Sequence, residues 1–193
     1  MKDNLQQDSP SFSTEIIRQV IAAKRIAIIG NQGAGKTTLA LKLAEIIGLD
    51  YVELFIFWKD NKMTEAEIQE LKDRISLRDN WIIDGDFGLL ELADTVILLD
   101  CPLLLCLWRA SKRSFKNILA WNFRSLKIYQ QIPAKIMERL RFFTDVYKYP
   151  SKSGKTHVAK FEVLAKKQNQ IVLKSPQEVE IFLPALELQK SRK

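Results

Sequence analysis

A chain of 193 residues with 47% apolar and 27% charged side chains is long enough to bury a sizeable core, and it has the balance of a globular protein. Its two cysteines, Cys101 and Cys106, are too few for a disulfide framework, and the single His157 cannot alone build a metal site or a Ser/His triad. Both cysteines read as buried small hydrophobes in a reducing compartment. The net charge of +7 is uneven: residues 109–174 hold 16 Lys/Arg against Glu138, Asp145 and Glu162, a segment of +13, leaving −6 for the rest. Such a segment suits a polyanionic ligand or a nucleic-acid footprint, and for most individual lysines a solvated surface. The polar start MKDNLQQDSPSFS lacks an apolar signal core, and the most apolar stretch, Val96 to Trp108, is short and broken by Asp100 and Pro102. A soluble cytoplasmic protein with no membrane segment is expected.

Residues 1–23 read as an extension before the first core strand. Within it Ser13 caps a helix over Thr14 to Ala22 with Ile16, Ile17, Val20 and Ile21 on one face. Arg25 to Ile29 is a short β-branched run, as in a buried parallel strand. Gly30-x4-Gly35-Lys36-Thr37 follows and opens a helix carrying Leu39, Leu41, Leu43, Ala44, Ile46 and Ile47. This is the phosphate-binding pattern GxxxxGK[ST] in its proper strand–turn–helix context. Glycines at 30, 33 and 35 let the backbone close around phosphate oxygens, with amides pointing inward and the helix dipole behind them. Lys36 supplies a point charge for the β- and γ-phosphates, and the Thr37 hydroxyl a ligand for Mg²⁺.

Gly48 is a natural end to that helix. A second strand is expected over Asp50 to Leu54, followed by the aromatic cluster Phe55, Phe57 and Trp58. Thr64 and Glu67 form a capping box for a helix reaching Leu77. Further strands are expected at Trp81 to Gly85, Thr95 to Asp100 and Gln170 to Ser175. Helical patterns lie between them, including Pro102 to Phe115, and a last helix over Gln177 to Leu188 is interrupted near Pro184. Strands alternating with helices imply a parallel sheet covered on both faces.

Ligands in such sheets sit beyond the carboxyl ends of the strands, where Gly30, Glu53, Asp84 and Asp100 fall. Asp84 is the first candidate, either for the Mg²⁺ shell or as proton acceptor from a substrate hydroxyl, and Asp86 stands close enough to share that work. Asp100 reads best as an N-cap for the helix at Pro102. Glu53 and Trp58 lie where a second substrate would be held, though core packing accounts for most of the neighbouring aromatics. Arg109 and Arg113, four apart, share one helix face and can together hold phosphate oxygens, with Lys112 and Lys116 adding to the field.

The blocks Ile26–Leu43, Leu54–Trp58, WIIDG at Trp81–Gly85, Ala93–Trp108 with Arg109 and Arg113, and Ile171–Leu183 resemble the adenylate-kinase-like P-loop proteins. Within these the chain is most similar to the DNA topology modulation proteins (FlaR-type). The resemblance covers most of the chain from about Lys24 to Leu183, and WIIDG and LDCPLLLCLWR are its more specific parts. It implies a three-layer α/β/α P-loop NTPase fold with a five-stranded parallel sheet over residues 24–190. It also implies a helical basic lid at approximately 112–155. It implies ATP binding along Gly30, Asn31, Gln32, Gly33, Ala34, Gly35, Lys36, Thr37 and Thr38, with Arg109 and Arg113 as lid-hinge arginines. Similar proteins tend to carry Asn and Tyr after the DG and an Arg before the AD of the fourth strand. Here Asp86 and Phe87 follow the DG, and no Arg lies between Asp79 and Thr95.

The expected activity is Mg·ATP-dependent phosphoryl transfer to a nucleotide, nucleoside or other small molecule. The alternatives are a nucleotide-dependent regulator that binds nucleic acid through its basic surface, or a slow NTPase without acceptor. Against the nucleic-acid reading, the chain holds no helix-turn-helix, zinc-finger or aromatic single-strand pattern.

Overall fold

The computed structural model describes residues 12–53, 64–86, 88–119, 137, 140–151, 153–164 and 167–192. Its centre is a five-stranded, all-parallel sheet. The strands are β1 (Arg25–Gly30), β2 (Tyr51–Val52), β3 (Trp81–Asp84), β4 (Thr95–Leu99) and β5 (Asn169–Leu173), in the order β2-β3-β1-β4-β5. Alternation along the strands divides the core in two. Ile26, Ile28, Ile82, Ile97, Leu99, Ile171 and Leu173 face one way, and Ala27, Ile29, Trp81, Ile83, Val96 and Leu98 face the other. Because both faces are covered, the strands read as unbroken apolar runs rather than alternating ones. Each fully buried isoleucine contributes about 1.5–3 kcal/mol.

The first face packs against α1 (Thr14–Ala22), α2 (Lys36–Ile47), α4 (Leu103–Leu119), α6 (Pro176–Lys190) and Val146 of the helical residues 140–148. The second packs against α3 (Glu65–Ser76), the 3₁₀ turn Leu90–Leu92 and α5 (Ser153–Leu164), through Ile75, Leu89, Leu90, Phe161 and Leu164. This is a three-layer α/β/α architecture with a P-loop between β1 and α2.

The expected caps are present. Ser13 Oγ accepts from Ile16 N at 3.3 Å. Thr64 and Glu67 complete their reciprocal box. Gly48 ends α2 in the left-handed conformation. Asp94, which the sequence did not single out, receives Lys24 N and Arg25 N on one oxygen, each at 2.9 Å, and so fixes the start of β1.

Several expectations are corrected. β2 is only Tyr51–Val52, so it ends before Glu53. α4 begins at Leu103, which puts Pro102 at the cap position; Asp100 lies too far back and makes no capping bond to α4 among the described residues. The last helix is continuous through Pro184. Buried Phe182, Leu183 and Leu186 anchor both sides of that proline, and its ring faces solvent, where the unpartnered carbonyl can meet water. Cys106 is buried as expected, but Cys101 is only partly so.

Candidate functional site

The P-loop runs from the end of β1 into α2. Its turn is closed by Ala34 N donating to Asn31 O at 3.1 Å. Asn31 is 4% exposed. Its Oδ1 accepts from Gln32 N at 2.7 Å, and its Nδ2 donates to Val146 O at 3.1 Å. The loop is thereby pinned to the helical residues 140–148 across 115 positions of sequence. Thr38 is exposed on the first turn of α2.

Lys36 Nζ donates back to Gly30 O at 3.0 Å and Asn31 O at 3.1 Å, holding its ammonium inside the loop. Burial pulls its pKa below the usual lysine value, and nearby Arg113 does so more weakly. The Asp84 carboxylate and Cys106 oppose them. At the end of β3, Asp84 is 9% exposed. One of its oxygens accepts from the Thr37 hydroxyl and the other from Tyr51 OH at 3.1 Å. Burial, then Asp84, raises the Tyr51 pKa, so the phenol keeps its proton.

β3 lies beside β1 with Ile28 opposite Asp84, and Gly85 N donates to Ile28 O at 2.9 Å. That register carries Asp84 to the mouth of the P-loop. α4 closes the other side. Arg109 donates to Ala34 O at 3.1 Å. The Cys106 carbonyl oxygen lies 2.5 Å from where a Cβ on Gly33 would stand. Arg113, four residues further on the same face, is exposed with its guanidinium 5.4 Å from the Phe142 ring centroid.

The structure therefore brings together Gly30, Asn31, Gln32, Gly33, Ala34, Gly35, Lys36, Thr37, Asp84 and Arg109, with Arg113 within electrostatic reach. Glu53 is exposed beyond β2 and touches the group only through its charge on Tyr51. Trp58, with Phe55 and Phe57, lies outside the described residues, as do residues 120–136 of the expected lid.

Asp86 is joined to a partner the sequence did not suggest: its Oδ2 is 3.8 Å from His157 Nε2 on α5. His157 Nδ1 in turn is 2.8 Å from Tyr149 OH. Sequence reasoning missed Tyr51, Tyr149 and His157. The first stands inside the strand expected over Asp50 to Leu54, three residues before its end; the strand stops at Val52, which brings Tyr51 to its end beside Asp84. The other two come from the segment least legible by pattern.

A hard-oxygen pair, Thr37 and Asp84, fits Mg²⁺ chemistry, with waters and phosphate filling the other positions. No cluster of three or more His, Cys, Asp or Glu able to hold a metal occurs among the described residues. No helix among the described residues is long and apolar enough to cross a membrane.

No family model matches the chain. Over 84 residues it is 37% identical to a Pyrococcus furiosus protein named "Putative adenylate kinase", covering 38% of this chain and 47% of that one. Over 80 residues it is 33% identical to shikimate kinase of Brucella canis, covering 41% of this chain and 40% of that one. The matched stretch thus spans less than half the length of these curated relatives. Among solved structures, shikimate kinase from Acinetobacter baumannii in complex with shikimate aligns over 92% of this chain and 98% of its own, at 15% identity and a TM-score of 0.48.

Proposed function

We propose that the protein is a Mg·ATP-dependent phosphotransferase acting on a small molecule, of the nucleotide-kinase type. One observation carries this reading: Lys36, Thr37 and Asp84 converge at the mouth of a P-loop whose ammonium is already held inward. The partial likeness to adenylate and shikimate kinases supports it. The finer resemblance to topology modulation proteins, and a cytoplasmic location, belong to the same reading.

In this reading the backbone of Gly30 to Gly35 wraps the phosphates, with Asn31, Gln32 and Ala34 shaping the loop. Lys36 leaves its two carbonyl partners for the β- and γ-phosphate oxygens. Thr37 and Asp84 hold Mg²⁺, which when bound neutralises charge on those oxygens. Thr38 continues the loop's hydroxyls into α2. Arg109, fixed to Ala34 O, and Arg113 face charge that develops on the transferred group. Transfer of this kind is positioning plus electrostatics, so few residues need covalent roles.

The test is Lys36→Ala. It should abolish ATP turnover while circular dichroism shows the fold retained, since two loop carbonyls lose a donor but no core side chain changes. Turnover at the parent rate in that variant refutes the assignment.

A further inference from the structure

The helical residues 140–148 meet the P-loop at one point and the arginine beside it at another. Val146 is fully buried among them. Its carbonyl would ordinarily accept from the residue four further on, but that residue is Pro150, which has no N–H. The carbonyl is left for a side chain, and Asn31 Nδ2 donates to it at 3.1 Å. Asn31 Oδ1 accepts from Gln32 N at 2.7 Å, so both polar atoms of this buried amide are engaged.

Phe142 stands four residues before Val146, one turn back on the same face of the helix. The Arg113 guanidinium lies over its ring, 5.4 Å from the centroid. Phe142 is itself held by the core it packs against and by the Phe143 ring, 5.8 Å away and edge-on. On α4, Arg113 follows Arg109 by one turn, a rise of about 6 Å. Arg109 Nη1 donates to Ala34 O at 3.1 Å. The contacts therefore close into a ring. It leaves the P-loop at Asn31, passes through Val146, Phe142, Arg113 and Arg109, and returns to the loop at Ala34. Arg113 is exposed, and among the described residues no carboxylate pairs with it, so the Phe142 ring is what limits an otherwise free side chain.

We infer that Phe142 is a positioning residue for phosphoryl transfer: it holds Arg113 over the P-loop, on a helix that the Asn31–Val146 bond keeps in register with the phosphate cradle. The inference rests on the phosphotransferase reading above. Phe142 touches no phosphate and acts only through Arg113. The role assigned to Arg113 is the transferred, terminal phosphate, so the effect of Phe142 is confined to nucleotides that carry one. Without the ring the guanidinium spreads over its other rotamers and offers its charge for only part of the time.

The experiment is isothermal titration calorimetry with Mg²⁺ and either ADP or the β,γ-imido analogue of ATP as probe. Arg113→Ala should weaken the imido analogue about tenfold or more, as for loss of a charged hydrogen bond, and leave Mg·ADP unchanged. Phe142→Leu should weaken the imido analogue alone by about threefold to tenfold, as for loss of a cation–π contact. Phe142→Tyr keeps a ring and should bind both nucleotides as the parent does. In an Arg113→Ala background, Phe142→Leu should change nothing further. A merely structural role would weaken Mg·ADP as well and would lower affinity again in the double variant. Parent affinity for the imido analogue in Phe142→Leu or in Arg113→Ala, equal losses for both nucleotides, or losses that multiply in the double variant overturns the inference. If circular dichroism shows Phe142→Leu unfolded, Phe142→Met is read in its place by the same criteria. The two readings separate in the parent and in Lys36→Ala. A parent that binds neither nucleotide, or a Lys36→Ala variant that turns ATP over normally, refutes the phosphotransferase reading and the inference with it. A parent that binds both, followed by any of the overturning results, refutes the role of Phe142 alone.

Discussion

Gly33 is the point where α4 presses on the P-loop, and replacing it measures that contact. Its φ is +85°, a conformation that costs an L-residue about 1 kcal/mol. An alanine Cβ would also stand 2.5 Å from the Cys106 carbonyl oxygen and 3.2 Å from its carbon. That backbone is inside a helix and cannot swing aside, so the overlap adds about 2 kcal/mol. Gly33→Ala should therefore lose about 3 kcal/mol, and for a chain of this length roughly 6–12 °C in melting temperature. Gly48 separates the two costs. Its φ is +88° and nothing lies within 4 Å of its Cβ position. Gly48→Ala should lose only about 1 kcal/mol, roughly 2–4 °C. Scanning calorimetry on both variants gives the difference. Equal losses would show that α4 does not bear on the loop, and the placement of Arg109 beside Ala34 would fall with it.

Tyr51→Phe removes the phenol from a buried carboxylate and should cost about 1.5 kcal/mol in urea unfolding. The parent should also weaken in alkali. The Tyr51 pKa is raised on folding, first by burial and then by Asp84, so its contribution is whole below the ordinary value of 10.0 and is lost as pH rises through the folded pKa. Above that value the stability of the parent should fall more steeply than that of Tyr51→Phe; parallel curves would refute the contact. Burial, then Cys101, pushes the Cys106 thiol up to about 11, and burial raises Cys101 as well. At about pH 8 an aromatic disulfide reagent should label the native protein slowly and titrate both thiols in urea. Rapid native labelling of both would contradict the packing of α4.

The sheet was readable because the signals for it are local. Apolar runs such as Arg25 to Ile29 and Thr95 to Asp100 mark strands by composition, and the edges of those two shifted by one residue, while β2 and β5 end two residues earlier than expected. Ser13, Gly48, Thr64 and Glu67 announced helix ends because caps are made within four residues. Pro184 misled because its local cost is set against buried neighbours that no short window weighs. Asp100 misled because α4 begins at Leu103, which leaves the acid two residues before the cap position held by Pro102.

The amino-acid sequence by itself determined the P-loop cradle, since Gly30 to Thr37 belongs to one continuous strand–turn–helix unit. Only the tertiary structure decided what surrounds that cradle. Asn31 meets Val146 across 115 residues, Arg109 meets Ala34 across 75, and Thr37 meets Asp84 across 47. The row Tyr149–His157–Asp86 exists only because α5 packs beside the end of β3. Those pairings follow from parallel register and from which helix covers which face, and no spacing along the chain encodes them.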